Sequence, residues 1–202
     1  MRVDTMEASS LKAERKPRSD SIRNRERLLK AATVLFREGG PNASLEAVAK
    51  RANVGIGTLY RHFPTREALF EAVYRREVEQ LGDLAEQLKK EADPVDALRQ
   101  WMHANVQLVA TKKGMLAALE IAVHGSPELY AYSFDKLTKA VGALLDRAIA
   151  AGEIRNDISA EDFLRALIGM CYSYDRPGWQ SAVFRLIDVF VNGLRVKTAA
   201  RS

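Results

Sequence analysis

Apolar residues recur at helical spacing along most of the chain, and polar punctuation divides that pattern into segments. Leu45, Val48, Ala49 and Ala52 fall at i, i+3, i+4 and i+7, which is one face of a short helix. Ser44 precedes it, with a hydroxyl able to accept a bond from the first turn, and Glu46 adds negative charge where the helix dipole favours it. Asn53 stands where the chain must leave this helix, and asparagine tolerates the left-handed conformation of such a C-cap. A second short helix, Ile56 to Phe63, places Ile56, Leu59 and Phe63 on one face, with Val54 plugging the corner. Upstream, Leu28, Ala32, Leu35 and Phe36 predict a helix from about Asp20 to Glu38, ended by Gly39-Gly40-Pro41-Asn42. Downstream, Thr65 is the expected N-cap of a long fourth helix reaching Glu91, with Leu69, Val73, Leu81, Leu84 and Leu88 buried.

The remainder reads as helices only. Asp93-Pro94 starts a helix over 94–110, carrying Leu98, Trp101, Met102, Asn105 and Val109, and a short apolar helix follows over 113–123. Ser126-Pro127 opens a helix that Gly152 stops, and Ser159 with Asp162 resembles a capping box. The last two helices, about 159–175 and 179–197, carry apolar residues over more than one face. On the second, Leu186 and Phe190 lie on one side and Ala182, Val189 and Gly193 on another, which requires cover from two directions. One cover is the core of the same chain and the other is a second copy. The expected dimer contacts are Phe163, Leu167, Met170, Ala182, Leu186, Val189, Phe190 and Gly193, the alternative being a helix buried within one chain. The predicted fold is all-α with about nine helices. It comprises an arm over 1–19, a three-helix unit over 20–66, a larger helical domain over 67–197 and a tail over 198–202.

Charge follows this division. Residues 1–70 hold 14 Lys+Arg against 8 Asp+Glu, a net +6, while the rest holds 17 against 18, a net −1. The basic excess therefore lies with the two short helices, as for a nucleic-acid surface rather than a generally basic protein. The outward side of the second short helix shows Gly57, Thr58, Tyr60, Arg61 and His62, without a carboxylate. Glycine lets a backbone approach, hydroxyl and imidazole groups bond phosphates, and a guanidinium bonds a phosphate or the O6 and N7 edge of guanine. Residues 1–19 lack apolar periodicity and read as a flexible basic arm. Lys12, Arg15, Lys16 and Arg18 are its candidate contacts to phosphates or the minor groove, the alternative being a solvated tail.

The run Gly57-Thr58-Leu59-Tyr60-Arg61-His62-Phe63-Pro64-Thr65-Arg66-Glu67-Ala68-Leu69 resembles the recognition helix and following helix start of TetR-family transcriptional regulators. Asn53 replaces the glycine usual in the turn, Arg66 a common lysine, and Gly55 a frequent serine cap. The resemblance implies a homodimeric regulator, most often a repressor, whose helix-turn-helix binds a palindromic operator in duplex DNA. Tyr60, His62 and Arg66 would hold phosphates, Thr58, Arg61 and Gly57 would approach base edges, and Ser44 would belong to the same surface. It also implies an unknown small-molecule effector bound by the C-terminal domain. Trp101, Met102, His103, Met115, Leu119, Glu120, Met170, Tyr172 and Trp179 are the candidate lining, with His103 and Glu120 as polar handles; the plainer reading of these residues is core.

Other chemistry is not suggested. His62, His103, His124 and Cys171 show no metal-ligand spacing, so neither a metal nor a cofactor is expected. No nucleophile elbow, phosphate-binding glycine loop or metalloprotease helix appears, and no enzyme is expected. No apolar run is long enough to cross a membrane and one cysteine permits no intramolecular disulfide, so a cytoplasmic protein is expected. Two further readings differ in class: a helical small-molecule-binding protein without a DNA role, and a non-specific nucleic-acid binder.

Overall fold

The computed structural model describes residues 4–38, 43–91, 93–119, 126–173 and 176–196, with side chains from Ser19 onward except at 118 and 119. Among these residues there are eight helices and no strand. They are α1 (Asp4–Glu38), α2 (Leu45–Arg51), α3 (Ile56–His62), α4 (Arg66–Leu88), α5 (Pro94–Leu119), α6 (Pro127–Ala150), α7 (Ala160–Tyr172) and α8 (Trp179–Leu194).

Local chemistry accounts for most boundaries. Backbone N–H groups of the first turn donate to side-chain oxygens at Ser44 (3.2 Å), Thr65 (3.1 Å), Ser126 (3.1 Å) and Ser159 (3.1 Å). At α5 the Asp93 carboxylate accepts from the N–H groups of Asp96 and Val95 at 2.9 and 2.8 Å, and these bonds hold its pKa below the usual carboxylate value. Asn53 takes the left-handed conformation expected of it, with φ 52°, and Gly152 does the same past α6, with φ 73°.

Two boundaries differ from the sequence pattern. The segments expected over 94–110 and 113–123 form one helix, α5, as far as Leu119; residues 120–125 lie outside the described residues. Thr111-Lys112-Lys113 contains no glycine or proline, so the hydrogen-bond ladder simply continues, giving eight helices rather than about nine. Likewise α1 starts at Asp4 rather than near Asp20, so residues expected as a flexible arm have helical backbone. Missing apolar periodicity, the ground for expecting an arm, does not report propensity. Ala8, Leu11, Lys12, Ala13, Glu14, Arg15 and Lys16 are all good helix formers, and Pro17 removes only one donor from the ladder.

The chain divides into two compact units, the first comprising Met1–Val73 with Gly114–Ile121 and the second Tyr74–Lys113 with Ala122–Ser202. In the first, Leu28, Ala32 and Phe36 of α1, Val48 and Ala49 of α2, Leu59 of α3, Leu69 and Val73 of α4 and Met115 of α5 are buried together. This unit extends seven residues past the expected limit at 66, to Val73, because the first two turns of α4 bury Leu69, Phe70 and Val73. Gly114 meets α1 backbone to backbone: a Cβ there would lie 1.7 Å from the Phe36 carbonyl oxygen. The second unit has its own core from α4 to α8, including Leu81, Trp101, Met102, Val141, Leu144, Phe163, Leu167, Ile187 and Val191.

Candidate nucleic-acid interface and internal cavity

Within the first unit the α2–turn–α3 segment is tightly specified. Val54 N–H donates to the Ala49 carbonyl at 3.1 Å, closing the corner around Asn53, whose own carbonyl accepts from the Arg27 guanidinium at 3.3 Å. Leu59 and Phe63 are fully buried and anchor α3. Ile56, expected on the same inward face, is 39% exposed, because it opens a helix of only two turns and lies at its outer end. Gly55 at the N-cap supplies no side-chain bond, as the missing serine implied.

The outward side of α3 carries Gly57, Tyr60 and Arg61 in solvent, with Thr58 and His62 half-buried. No described residue stands within 4 Å of the Cβ position of Gly57, so the backbone itself is open among them. Ser44 uses its oxygen as the α2 cap and keeps its O–H available, while Arg66 is exposed at the start of α4. Arg25 of α1 lies 5.3 Å over the Phe63 ring, which brings another guanidinium beside the end of α3. A shallow recess of about 260 Å³ between α1 and α2 is lined by Arg27, Lys30 and Arg51 together with Ala31, Val34 and Ala52. Arg25, Arg27, Lys30 and Arg51 were not among the expected contacts, since only the packing of α1 on α2 and α3 brings them together. The side chains of Lys12, Arg15, Lys16 and Arg18 lie outside those described.

The second unit contains a cavity of about 70 Å³ lined by Tyr74, Asn105, Leu108, Val109, Lys112, Tyr130, Ser133, Phe134, Leu137, Leu164, Ile168 and Tyr172. Of the seven expected lining residues whose side chains are described, only Tyr172 borders it. Trp101, Met102 and Met115 are fully buried core residues, and the Trp101 Nε1–H already donates to the Leu81 carbonyl at 3.0 Å. His103 packs on Phe184, ring centroids 4.6 Å apart, and burial lowers its pKa, so it favours the neutral form. Met170 is partly buried against the core, and Trp179 lies under the Lys113 ammonium at 4.6 Å. The Leu119 side chain and Glu120 fall outside the described residues. Bulk marks aromatic and methionine residues in a sequence, and bulk is what a core takes up first. The better signal was Asn105, a carboxamide on the apolar stripe of α5.

Asn105 is 1% exposed, and neither its Oδ1 nor its Nδ2 meets a protein partner among the described residues. Leaving such a group unpaired costs about 1–3 kcal/mol. The Tyr74 hydroxyl donates to Ser133 Oγ at 3.4 Å, and Ser133 Oγ donates to the Tyr130 carbonyl at 2.9 Å. Burial raises the Tyr74 pKa, so the phenol stays protonated. Lys112 lies 5.4 Å from the Tyr74 ring centroid, and burial lowers its pKa. Tyr130 and Tyr172 border the cavity yet are 55% and 44% exposed, which places them at its mouth.

The left-handed corner at Asn53, the two short helices around it and the basic, carboxylate-free outer side of the second define a helix-turn-helix DNA-binding protein. Residues 28–73 match the profile of bacterial regulatory proteins of the tetR family, and residues 93–196 match the C-terminal domain of SbtR-like transcriptional regulators. The chain belongs to the TetR family of transcriptional regulators. It is 30% identical over 158 residues to the HTH-type transcriptional regulator UidR of Escherichia coli (strain K12), covering 73% of this chain and 78% of that one. The HTH-type transcriptional repressor KstR of Rhodococcus jostii is 36% identical over 81 residues, covering 40% of this chain and 38% of its own. The crystal structure of the TetR transcriptional regulator SCO0520 from Streptomyces coelicolor superposes with a TM-score of 0.74 at 42% identity, covering 86% of this chain and 99% of that one.

Proposed function

We propose that this DNA-binding regulator represses transcription in the cytoplasm as a homodimer on a palindromic operator, and leaves the operator when a small molecule fills the cavity of its second unit. The observation that carries the DNA reading is the outer side of α3, where Gly57, Thr58, Tyr60, Arg61 and His62 are presented without a carboxylate. Tyr60, His62 and Arg66 hold phosphates, with Ser44, Arg25 and Arg27 as further donors, while Gly57, Thr58 and Arg61 approach base edges. The repressor sense is supported by the name of the Rhodococcus relative.

The dimer rests on α8. Ala182, Leu186, Val189 and Gly193 form a stripe at spacings of four, three and four, Val189 is 69% exposed, and no described residue stands within 4 Å of the Gly193 Cβ position. Gly169 of α7 is open in the same way, so small residues on both helices allow the close approach of a second copy. Phe163 and Leu167, expected at this interface, are fully buried in the chain's own core, and Phe190 packs on Phe163 with centroids 5.3 Å apart. The interface thus draws on the outer stripe of α8 rather than on α7's inward residues. A two-fold dimer places its recognition helices on half-sites roughly 34–36 Å apart. Both α4 and α5 continue along the chain from one unit into the other, so a ligand-dependent change in either is carried by an unbroken helix.

Selection of bound fragments from random duplex DNA, with the wild-type protein and Tyr60→Ala in parallel, tests this reading. A two-fold symmetric motif absent from the Tyr60→Ala selection is expected. No enrichment, or the same motif from both proteins, removes α3 as the reader.

A further inference from the structure

The cavity of the second unit is chemically lopsided, and that asymmetry identifies the kind of molecule it takes. Its walls are apolar at Leu108, Val109, Leu137, Leu164 and Ile168, and no carboxylate lines it among the described residues. Two polar side chains from α5 border it, Asn105 and Lys112, seven residues and so two helical turns apart on one face. Both line the same cavity, so one ligand can meet both.

Neither group is satisfied by the described residues around it. Among the described residues the Asn105 carboxamide has an unpaired donor and an unpaired acceptor, at 1% exposure. Lys112 has the Tyr74 ring beside it, at 5.4 Å, and no carboxylate partner among the described residues. Its neighbour Lys113 makes the contrast: that ammonium donates to the Cys171 carbonyl at 3.1 Å and lies over the Tyr172 and Trp179 rings. Lys113 is thus employed in holding α5 to α7, whereas Lys112 stands at the cavity. Buried polar groups are ordinarily satisfied, and an ammonium drawn out of water needs an anion or its equivalent. The hydroxyls of Tyr74 and Ser133 are already committed to each other and to the Tyr130 carbonyl.

We propose that the cavity binds a compact hydroxy-carboxylic acid, its carboxylate paired with the Lys112 ammonium, its hydroxyl bonded to the Asn105 carboxamide and its apolar body against Leu108, Leu137 and Ile168. This deepens the effector reading above and rests on it. The cavity volume of about 70 Å³ is roughly half the ~150 Å³ of an apolar cavity that takes up benzene. A short acid enters as it stands, and a ring requires Tyr130 or Tyr172 to swing outward at the mouth. The charge-assisted pair supplies affinity, and the carboxamide discriminates between ligands with and without the hydroxyl.

The test is calorimetric titration of the full-length protein with lactate, 2-hydroxyhexanoate and mandelate, each beside its amide and its deoxy acid. At least one hydroxy acid binds saturably at one site per chain, about tenfold or more tighter than its amide. Lys112→Met removes that preference and Lys112→Arg retains it; Asn105→Leu removes the preference over the deoxy acid. Circular dichroism of each variant separates loss of binding from loss of fold. Amides binding as tightly as acids, a preference that survives Lys112→Met, or no binding by any hydroxy acid overturns the proposal. Operator affinity measured with the same acids separates the two readings. Binding without operator release refutes the effector role and leaves the ligand class standing. Release by neutral or cationic compounds alone keeps the effector role and refutes the class.

Discussion

At the scale of single residues, position in the fold decides what each side chain can do. Arg61 and Tyr60 are both exposed on α3, yet their chemistry differs. A guanidinium matches the guanine O6 and N7 pair, whereas a phenol bonds phosphates without regard to sequence. Arg61→Ala is therefore expected to relax preference at one operator position, by about 1–3 kcal/mol if it reads guanine. Tyr60→Phe is expected to lower affinity for every operator variant alike; fluorescence anisotropy with single-substitution operators distinguishes the two patterns. Cys171 shows the opposite fate. Burial pushes its thiol from 9.0 up to about 12, against a smaller downward pull from the Lys113 ammonium. The folded state holds this proton more tightly than the unfolded chain, so the associated stability is complete below pH 9 and is lost as pH rises through about 12. At pH 8 the native thiol is expected to resist alkylation and the urea-unfolded chain to react readily, which mass spectrometry after an iodoacetamide pulse checks.

At the scale of elements, α5 carries the most consequence. Its first part supplies Asn105 and Lys112 to the cavity, and two residues beyond Lys112 its backbone at Gly114 lies against the Phe36 carbonyl of α1. Alanine at 114 gains about 1 kcal/mol in helix propensity. Against this, a Cβ 1.7 Å from a backbone oxygen forces the helices apart, a strain of the kind that costs about 1–3 kcal/mol or more. The steric cost outweighs the propensity gain because backbone, unlike a side chain, cannot rotate away. Gly114→Ala is thus expected to lower the urea midpoint; a higher midpoint would show the two backbones to be loosely packed. The α2–turn–α3 pair, by contrast, is held by local bonds, namely the Ser44 cap and the left-handed Asn53, and is therefore legible in the sequence.

At the scale of the whole molecule, assembly and charge can each be probed by a single change. Val189→Asp puts a carboxylate on the exposed stripe of α8, where the single chain tolerates it within about 0.5 kcal/mol. Sedimentation velocity is expected to show a monomer with intact helicity and weakened operator binding; an unchanged dimer would move the interface elsewhere. Removing residues 1–18 is expected to lessen the salt dependence of operator binding, by about 0.9 in log–log slope for each phosphate that the arm neutralises. An unchanged slope would make the arm a plain tail, whatever its backbone conformation.

The sequence by itself determined the all-helical fold, the caps and corners of α2 and α3, the residues on the outward side of α3 and the basic bias of residues 1–70. Each of these is local: it depends on neighbours three or four positions away, or on composition. The cavity was decided only in three dimensions. Its walls come from α4, α5, α6 and α7, and the helical period that marks Trp101 and Met102 as apolar marks core and pocket alike. The same holds for Phe163 and Leu167, whose apolar face could serve a partner or the interior until packing assigned it inward. Periodicity says that a face is covered, and only the tertiary arrangement says by what, because burial depends on the meeting of segments far apart in the chain.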